Sequence, residues 1–288
     1  MAIKFEPIGQ CIYCGKTEAE TELKKEHIIP YSLAGLSFLP KASCSDCEAI
    51  TSAFEGKCVR TMFKLLRLRF DIQSRRRKKR IKSMKVQAIV NGKDSIINMP
   101  INGLLGTVGY VHFPIPGFLR SPEEHPENFL GVQLSVKNFM PKDITEWRKR
   151  NVSNVGSELT FHVESYALTL AKIAHCYAIG TFGFYNFQSL LTNYIINQDT
   201  NGLAYLVGSL EEIEPPKTLE GHHQIEWDII PKNATHHYIL IRLRLFSYLG
   251  GPTAQIIVGL VDAFQITNIL EYLKKHNHSY EFNPHSNS

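Results

Sequence analysis

Residues 11–55 read CIYCGKTEAETELKKEHIIPYSLAGLSFLPKASCSDCEAITSAFE, and this stretch decides the fold of the N-terminal part of the chain. Two Cys-x-x-Cys pairs enclose a Glu-His dipeptide. Structural zinc takes four ligands, and each short pair supplies two sulfurs that face one ion. The alternative, four buried thiols without a metal, is less typical of doubled pairs in a reducing compartment. The sequence therefore predicts a structural Zn²⁺ site, with Cys11, Cys14, Cys44 and Cys47 as ligands.

The composition is typical of a soluble globular protein. Of the 288 residues, 43% are hydrophobic and 20% are charged, which allows one large domain or two ordinary ones. No apolar run is long enough to cross a bilayer, and the first ten residues lack the apolar segment of a signal peptide. These features predict a cytoplasmic location and no membrane partner.

Positive charge is concentrated at the N-terminal end. Residues 1–85 hold 18 Lys and Arg against 9 Asp and Glu, a net charge of +9, whereas the remaining 203 residues have a net charge of −4. A basic segment on a mildly acidic body favours a polyanionic partner for that segment, and nucleic acid is the commonest one.

Apolar residues spaced by three and four predict a helix over residues 50–70. Basic residues with the same spacing form a second face, and the run RRRKKR follows at residues 75–80. Such runs bind phosphates without reading sequence, although they also occur as solvated tails or import signals. The predicted nucleic-acid-binding residues are Arg60, Lys64, Arg67, Arg75, Arg76, Arg77, Lys78, Lys79 and Arg80.

The residue pattern of the sequence changes after residue 85. An Asn-Gly dipeptide between two short apolar runs predicts a hairpin over residues 85–101. A mostly buried helix is expected to end near Gly180. Strands are expected within residues 203–210, 224–230, 238–249 and 254–261, with a helix at about 265–275. The predicted fold class is α+β, with a small zinc module at residues 8–84 and a larger α+β domain, rich in antiparallel strands, at residues 86–288.

A known family carries the same set of motifs. A Cys-x-x-Cys pair, Glu-His-Ile-Ile-Pro, a Gly-containing loop and a second Cys-x-x-Cys pair that opens a helix resemble the HNH endonucleases, which have the ββα-metal fold. The resemblance covers about residues 11–60. It implies that Glu26, the acidic residue before the histidine, is a ligand of the catalytic metal ion.

The chemistry of phosphodiester hydrolysis also points to His27. The reaction needs a base that activates water and a cation that neutralises charge on the phosphate and the leaving oxygen. An imidazole titrates near neutral pH, so His27 can serve as the catalytic base. The alternative is a surface or packing histidine near the zinc site.

The sequence departs from the usual HNH pattern around the second cysteine pair. Glu48 stands directly after Cys47, where Asn or His is usual, and no Asn precedes the pair. Glu48 with Glu26 would form an oxygen-rich site suited to Mg²⁺ or Mn²⁺, and Glu55 is a reserve ligand on the same helix face. The alternative for Glu48 is a favourable interaction with the N-terminal helix dipole.

These observations predict a metal-dependent HNH-type endonuclease that hydrolyses DNA phosphodiester bonds. Two other functions stay open. The first is a catalytically inactive, zinc-dependent nucleic-acid-binding protein, which the altered Asn and His positions favour. The second is a regulatory or interaction protein whose function lies in residues 86–288.

Overall fold

The computed structural model describes residues 5–72, 81–120, 129–210 and 223–275. The fold is α+β, as predicted, and the strand pairings within these ranges are antiparallel. The first elements are β1 (Lys24–His27), β2 (Phe38–Ser43), α1 (Ser45–Arg60) and α2 (Lys64–Arg69). The others are β3 (Ser83–Val90), β4 (Lys93–Pro100), β5 (Gly106–His112), β6 (Gln133–Phe139), α3 (Thr145–Lys149), β7 (Val152–Val155), α4 (Val163–Phe182), β8 (Gln188–Ser189), α5 (Thr192–Asn197), β9 (Val207–Ser209), β10 (His223–Pro231), β11 (His236–Leu245), β12 (Ala254–Asp262) and α6 (Ala263–Lys275).

The N-terminal unit has the order β1, β2, α1. The two strands pair antiparallel, with Glu26 opposite Leu39 and His27 opposite Phe38. A one-turn helix, Tyr31–Leu33, lies in the loop between them. Helix α1 begins directly after Cys44, so the second cysteine pair forms its first turn.

The helix predicted over residues 50–70 is wrong in its bounds. It begins earlier, at Ser45, and is interrupted between Arg60 and Lys64, so that α1 and α2 are separate helices. At the break the hydroxyl of Thr61 donates to the carbonyl oxygen of Lys57, and the amide of Phe63 donates to Cys58 instead of Val59. These bonds replace the regular helical pattern and let the buried ring of Phe63 pack against Tyr166 and Phe246.

The described residues form three further sheets. The largest has the strand order β10-β11-β12-β8, and β9 also pairs with β12. The sheet β4-β3-β7 contains the predicted hairpin, whose turn residues Asn91 and Gly92 both have positive φ, as a tight two-residue turn requires. Strands β5 and β6 form a two-stranded sheet. The strand predicted within residues 203–210 is shorter than expected, because a one-turn helix occupies Leu203–Tyr205.

Helix α4 lies at the centre of the molecule. Its residues 165–182 are all buried, and it packs against α1, β11 and β12. A single apolar cluster includes residues from the N-terminal unit, such as Leu39 and Phe54, together with α4 and the largest sheet. The N-terminal unit therefore shares its core with the rest of the chain.

No helix in the described part of the chain combines the length and the apolar character needed to cross a bilayer.

Candidate active site and metal centre

The four predicted cysteines form one cluster. Their sulfur atoms all lie within 4.8 Å of one another, and the sulfurs of Cys14 and Cys44 are 3.7 Å apart. A tetrahedron of zinc–sulfur bonds of about 2.3 Å places its sulfurs about 3.8 Å apart, so the cluster has the dimensions of a structural zinc site. The two pairs, which 29 intervening residues separate in sequence, meet because one is a tight turn and the other is the first turn of α1.

The electrostatics of the cluster also fit a metal. Burial raises the pKa of Cys47, and the neighbouring Cys11 raises it further, because a thiolate is unfavourable in a buried site beside another thiolate. Four thiolates so close together need a cation, which metal binding supplies as the protons leave. The donor set, four sulfurs, is compatible with structural zinc.

A cavity of about 450 Å³ lies beside this cluster, between the end of β1, the one-turn helix, α1 and α4. Its lining combines an imidazole, three carboxylates and several cationic groups. The residues that matter for the chemistry are Lys25, Glu26, His27, Glu48, Glu55, Arg60 and Lys172.

His27 ends β1 and lies half-buried between two aromatic rings. The ring centroids of Tyr31 and Phe38 are 5.8 Å and 5.7 Å from that of the imidazole. Successive residues of a strand point to opposite faces, yet both Glu26 and His27 line the cavity, because the strand ends at this point.

In the loop after His27, two backbone segments approach closely at a glycine. A Cβ atom at Gly35 would lie 1.9 Å from the carbonyl oxygen of Ile29, so any larger residue collides with the backbone. The amide of Gly35 also donates to the carbonyl oxygen of Pro30, at 3.2 Å. The close approach of these two backbone segments sets the path of the chain from His27 to β2.

Helix α1 presents one face to the cavity. Glu48 lies in its first turn, and Thr51, Ser52 and Glu55 line the same cavity, as their spacing predicts. The carboxylate of Glu48 forms an ion pair of 2.9 Å with Lys24, and its side chain is partly exposed. Glu48 therefore has both positions that the sequence suggested, in the first helical turn and on the cavity wall.

Glu26 is buried and forms an ion pair that the sequence did not predict. The ammonium group of Lys172, in the middle of α4, lies 2.7 Å from Oε1 of Glu26 and 2.9 Å from Oε1 of Glu55. It also donates to the carbonyl oxygen of His27. One signal could have pointed to Lys172, since it is the one Lys, Arg, Asp or Glu within residues 165–182.

The structure places the predicted phosphate-binding residues at different sites. Arg60 is exposed and lines the cavity that contains His27, whereas Lys64 lines a second cavity beside β3. The guanidinium of Arg67 donates to the carbonyl oxygen of Ser32 at 2.6 Å, and burial lowers its pKa. Arg75, Arg76, Arg77, Lys78, Lys79 and Arg80 lie outside the described residues. Lys25, at the cavity wall, was not among the predicted residues.

Comparison with known proteins agrees with the sequence resemblance. The family model described as HNH endonuclease matches residues 11–56. This range contains both cysteine pairs, the Glu-His dipeptide and the first turns of α1, so the resemblance to HNH endonucleases is confirmed for this segment. Neither a curated protein nor a solved structure matches the chain significantly.

Proposed function

We propose that the protein is a divalent-metal-dependent endonuclease that hydrolyses phosphodiester bonds of nucleic acid, with DNA as its substrate. The observation that carries this proposal is the cavity beside the cysteine cluster, within the segment that matches the HNH family. One wall supplies the imidazole of His27, and the other walls supply carboxylates and cationic side chains.

His27 is the base in this proposal. Its imidazole accepts a proton from the water molecule that attacks phosphorus, and the bond from phosphorus to the leaving oxygen then breaks. An imidazole titrates near neutral pH, which suits it to the role of a general base. The packing of Tyr31 and Phe38 around the ring restricts its orientation.

Glu26 and Glu48 are the ligands that we assign to the catalytic ion, with Glu55 in reserve. Carboxylate oxygens are the donors that Mg²⁺ and Mn²⁺ prefer. When bound, such an ion neutralises charge on the scissile phosphate and the leaving oxygen. Lys172 contacts Oε1 of Glu26, and a carboxylate has a second oxygen that can bind an ion.

Lys25 and Arg60 are placed to hold the phosphate backbone at the cavity. Both side chains are exposed, so each can reach a phosphate without first leaving a buried ion pair. The basic run at residues 75–80 would add contacts that do not depend on base sequence. Structural zinc, held by the four cysteines, would fix the start of α1 relative to β1 and β2.

A cleavage assay tests this proposal. Supercoiled plasmid, single-stranded DNA and RNA are each incubated with the purified protein and Mg²⁺ or Mn²⁺. We expect cleavage by the wild-type protein and a loss of about 10²–10⁴-fold in kcat for His27→Ala, the range typical of a general base. His236→Ala, which removes an exposed histidine on β11, is the matched control and should cleave like the wild type. Equal rates for His27→Ala and wild type would remove His27 from the mechanism.

One observation favours a second function, nucleic-acid binding without cleavage. The carboxylates of Glu26 and Glu55 already share the ammonium group of Lys172, which reduces the negative charge available to a metal ion. This function predicts a DNA mobility shift that weakens steeply with salt, with no strand breaks in Mg²⁺ or Mn²⁺. The same protein preparation serves for both measurements.

A further inference from the structure

The last residue of β1 and the segment that follows it are held by three side chains from distant parts of the sequence. The carbonyl oxygen of His27 accepts a hydrogen bond from Lys172, and that of Ser32 accepts one from Arg67. The carbonyl oxygen of Leu33 accepts one from Nε2 of His223 at 2.7 Å. Two of these three donors belong to the part of the chain after residue 86, so the conformation around His27 depends on that part.

Of these three donors, Lys172 also contacts two carboxylates. Its ammonium group donates to the carbonyl oxygen of His27 and forms ion pairs with the carboxylates of Glu26 and Glu55. The Lys172 side chain is only 1% exposed, so this ammonium is not accessible to a phosphate. Burial by itself lowers the pKa of Lys172, but the two carboxylates outweigh burial and raise the pKa above its usual value, so the group is charged at neutral pH.

The partners of Lys172 belong to a wider contact. Thr169, Lys172 and Cys176 follow the three- and four-residue spacing of one helix face, and all three meet the N-terminal unit. Thr169 contacts Cys58 of α1, and Cys176 contacts the hydroxyl of Tyr13 in the first cysteine turn. Helix α4 therefore contacts the first cysteine turn, the end of β1 and α1 along a single face.

Stability alone is a weak reason for a buried ion pair. Removing two or three charges from water costs several kcal/mol for each ion, and well-packed apolar residues often give equal or greater stability. A lysine joined to two carboxylates has a property that an apolar residue lacks, because it fixes the direction of each partner. All of its partners here are residues, or neighbours of residues, that line the cavity.

We propose that Lys172 is a positioning residue of the nuclease site, which holds the carboxylates of Glu26 and Glu55 and the main chain of His27 in the arrangement that hydrolysis needs. Helix α4 then completes a site whose other residues come from residues 25–60. This inference rests on the proposed function, and it adds a residue outside the segment that matches the HNH family.

The first experiment combines Lys172→Ala with chemical rescue. This variant lacks the atoms beyond Cβ, and n-propylammonium replaces them. We expect kcat to fall by about 100-fold, the size of effect that a misplacement of about 1 Å produces, with KM for DNA changed by less than about threefold. Added n-propylammonium should restore part of kcat. Lys137→Ala is the matched control, because Lys137 also donates to two main-chain carbonyl oxygens, those of Leu249 and Gly250, but does not line the cavity.

A second variant separates position from charge. Lys172→Met combined with Glu55→Gln leaves one negative charge among the three side chains, as in the wild type. We expect this double variant to keep its zinc and its DNA affinity and to lose kcat by about 100-fold relative to Glu55→Gln alone, which accounts for the loss of the reserve ligand. A double variant that cleaves within about threefold of the Glu55→Gln rate would overturn the proposal, and so would one that cannot fold although Glu55→Gln folds, since Lys172 would then serve stability.

Amide hydrogen exchange distinguishes failure of this inference from failure of the proposed function. In Lys172→Ala or the double variant, we expect the amides of residues 28–37 to exchange about tenfold faster, while those of β11 and β12 are unchanged. Faster exchange with an inactive wild-type protein would refute the nuclease proposal and keep the positioning role. Unchanged exchange at residues 28–37 would refute the positioning role, whatever the wild-type activity.

Discussion

His175 is buried where α4 meets the first cysteine turn, and its two ring nitrogens have different partners. Nε2 lies 3.2 Å from the carbonyl oxygen of Ile12, which can only accept, so Nε2 carries the hydrogen. Nδ1 lies 3.2 Å from the hydroxyl of Ser189, which can donate to it. The neutral ring satisfies both partners. Burial lowers the pKa of His175 to about 4.

This histidine makes stability depend on pH. Its pKa is about 6.5 in the unfolded chain and about 4 in the folded one. The folded state therefore binds fewer protons, and the contribution of His175 is complete above pH 6.5 and is lost as the pH falls towards 4. We expect a loss of about 3 kcal/mol across this window, measured by urea unfolding between pH 7 and pH 4.5. His175→Gln keeps a donor for Ile12 and should show a smaller pH dependence; parallel curves for the two proteins would contradict the assignment.

At the residue scale, the sequence correctly predicted the features that depend on local spacing. The cysteine cluster follows from two short pairs, and the shared cavity wall of Glu48 and Glu55 follows from helical spacing. The ion pair of Glu26 with Lys172 joins residues 146 positions apart, and no local period connects them. Sequence reasoning found the carboxylate and missed its partner for that reason.

At the element scale, the break between α1 and α2 changes what the basic residues can do. The three- and four-residue spacing of apolar side chains continues across the break, so the sequence alone predicts one helix. The interruption directs Arg60 and Lys64 to two different cavities. A continuous helix would have placed both residues on one basic face. The hairpin β3-β4 was predicted correctly because its turn chemistry is local.

The start of helix α1 lies in the cysteine cluster. Its first residue follows Cys44, and no side chain among the described residues caps that end by a hydrogen bond. We expect Cys47→Ser to bind little zinc and to lose amide protection at the start of α1 and in β1 and β2, while β10, β11 and β12 keep theirs. The measurements are elemental analysis and hydrogen exchange.

The control for that experiment is a buried cysteine outside the cluster. Cys58→Ala removes the thiol that contacts Thr169 and leaves the four clustered cysteines in place. It should bind as much zinc as the wild type, and its helix α1 should keep its protected start. Normal zinc content in Cys47→Ser would show that the cluster is not the zinc site.

At the scale of the whole molecule, one apolar cluster extends from Phe5 to Ile269. The division into residues 8–84 and 86–288 was inferred from a change in composition, and it stays a prediction. Composition records where the charge pattern changes. It does not record which buried side chains the two parts share, since that depends on packing between residues far apart in sequence.

A fragment of residues 8–84 tests this division. It would expose apolar side chains that α4 and the largest sheet cover in the full chain, among them Leu39, Phe54 and Phe63. We expect the fragment to bind zinc, to lack the dispersed amide spectrum of a packed protein and to cleave no DNA. Two-dimensional NMR and the plasmid assay measure these outcomes. A well-dispersed spectrum together with cleavage would establish an autonomous nuclease domain.

The ammonium group that joins β1, α1 and α4 also bears on whether this site could be transplanted into another protein. A chimaera that received residues 11–56 alone would carry the buried carboxylate of Glu26 and the partly buried one of Glu55 to a host without their counterion. A transfer that kept the counterion would also have to include α4. More than a hundred residues of sequence separate this helix from β1 and β2. The residues that form this site therefore lie in two separate stretches of the sequence, although the motif itself lies in one.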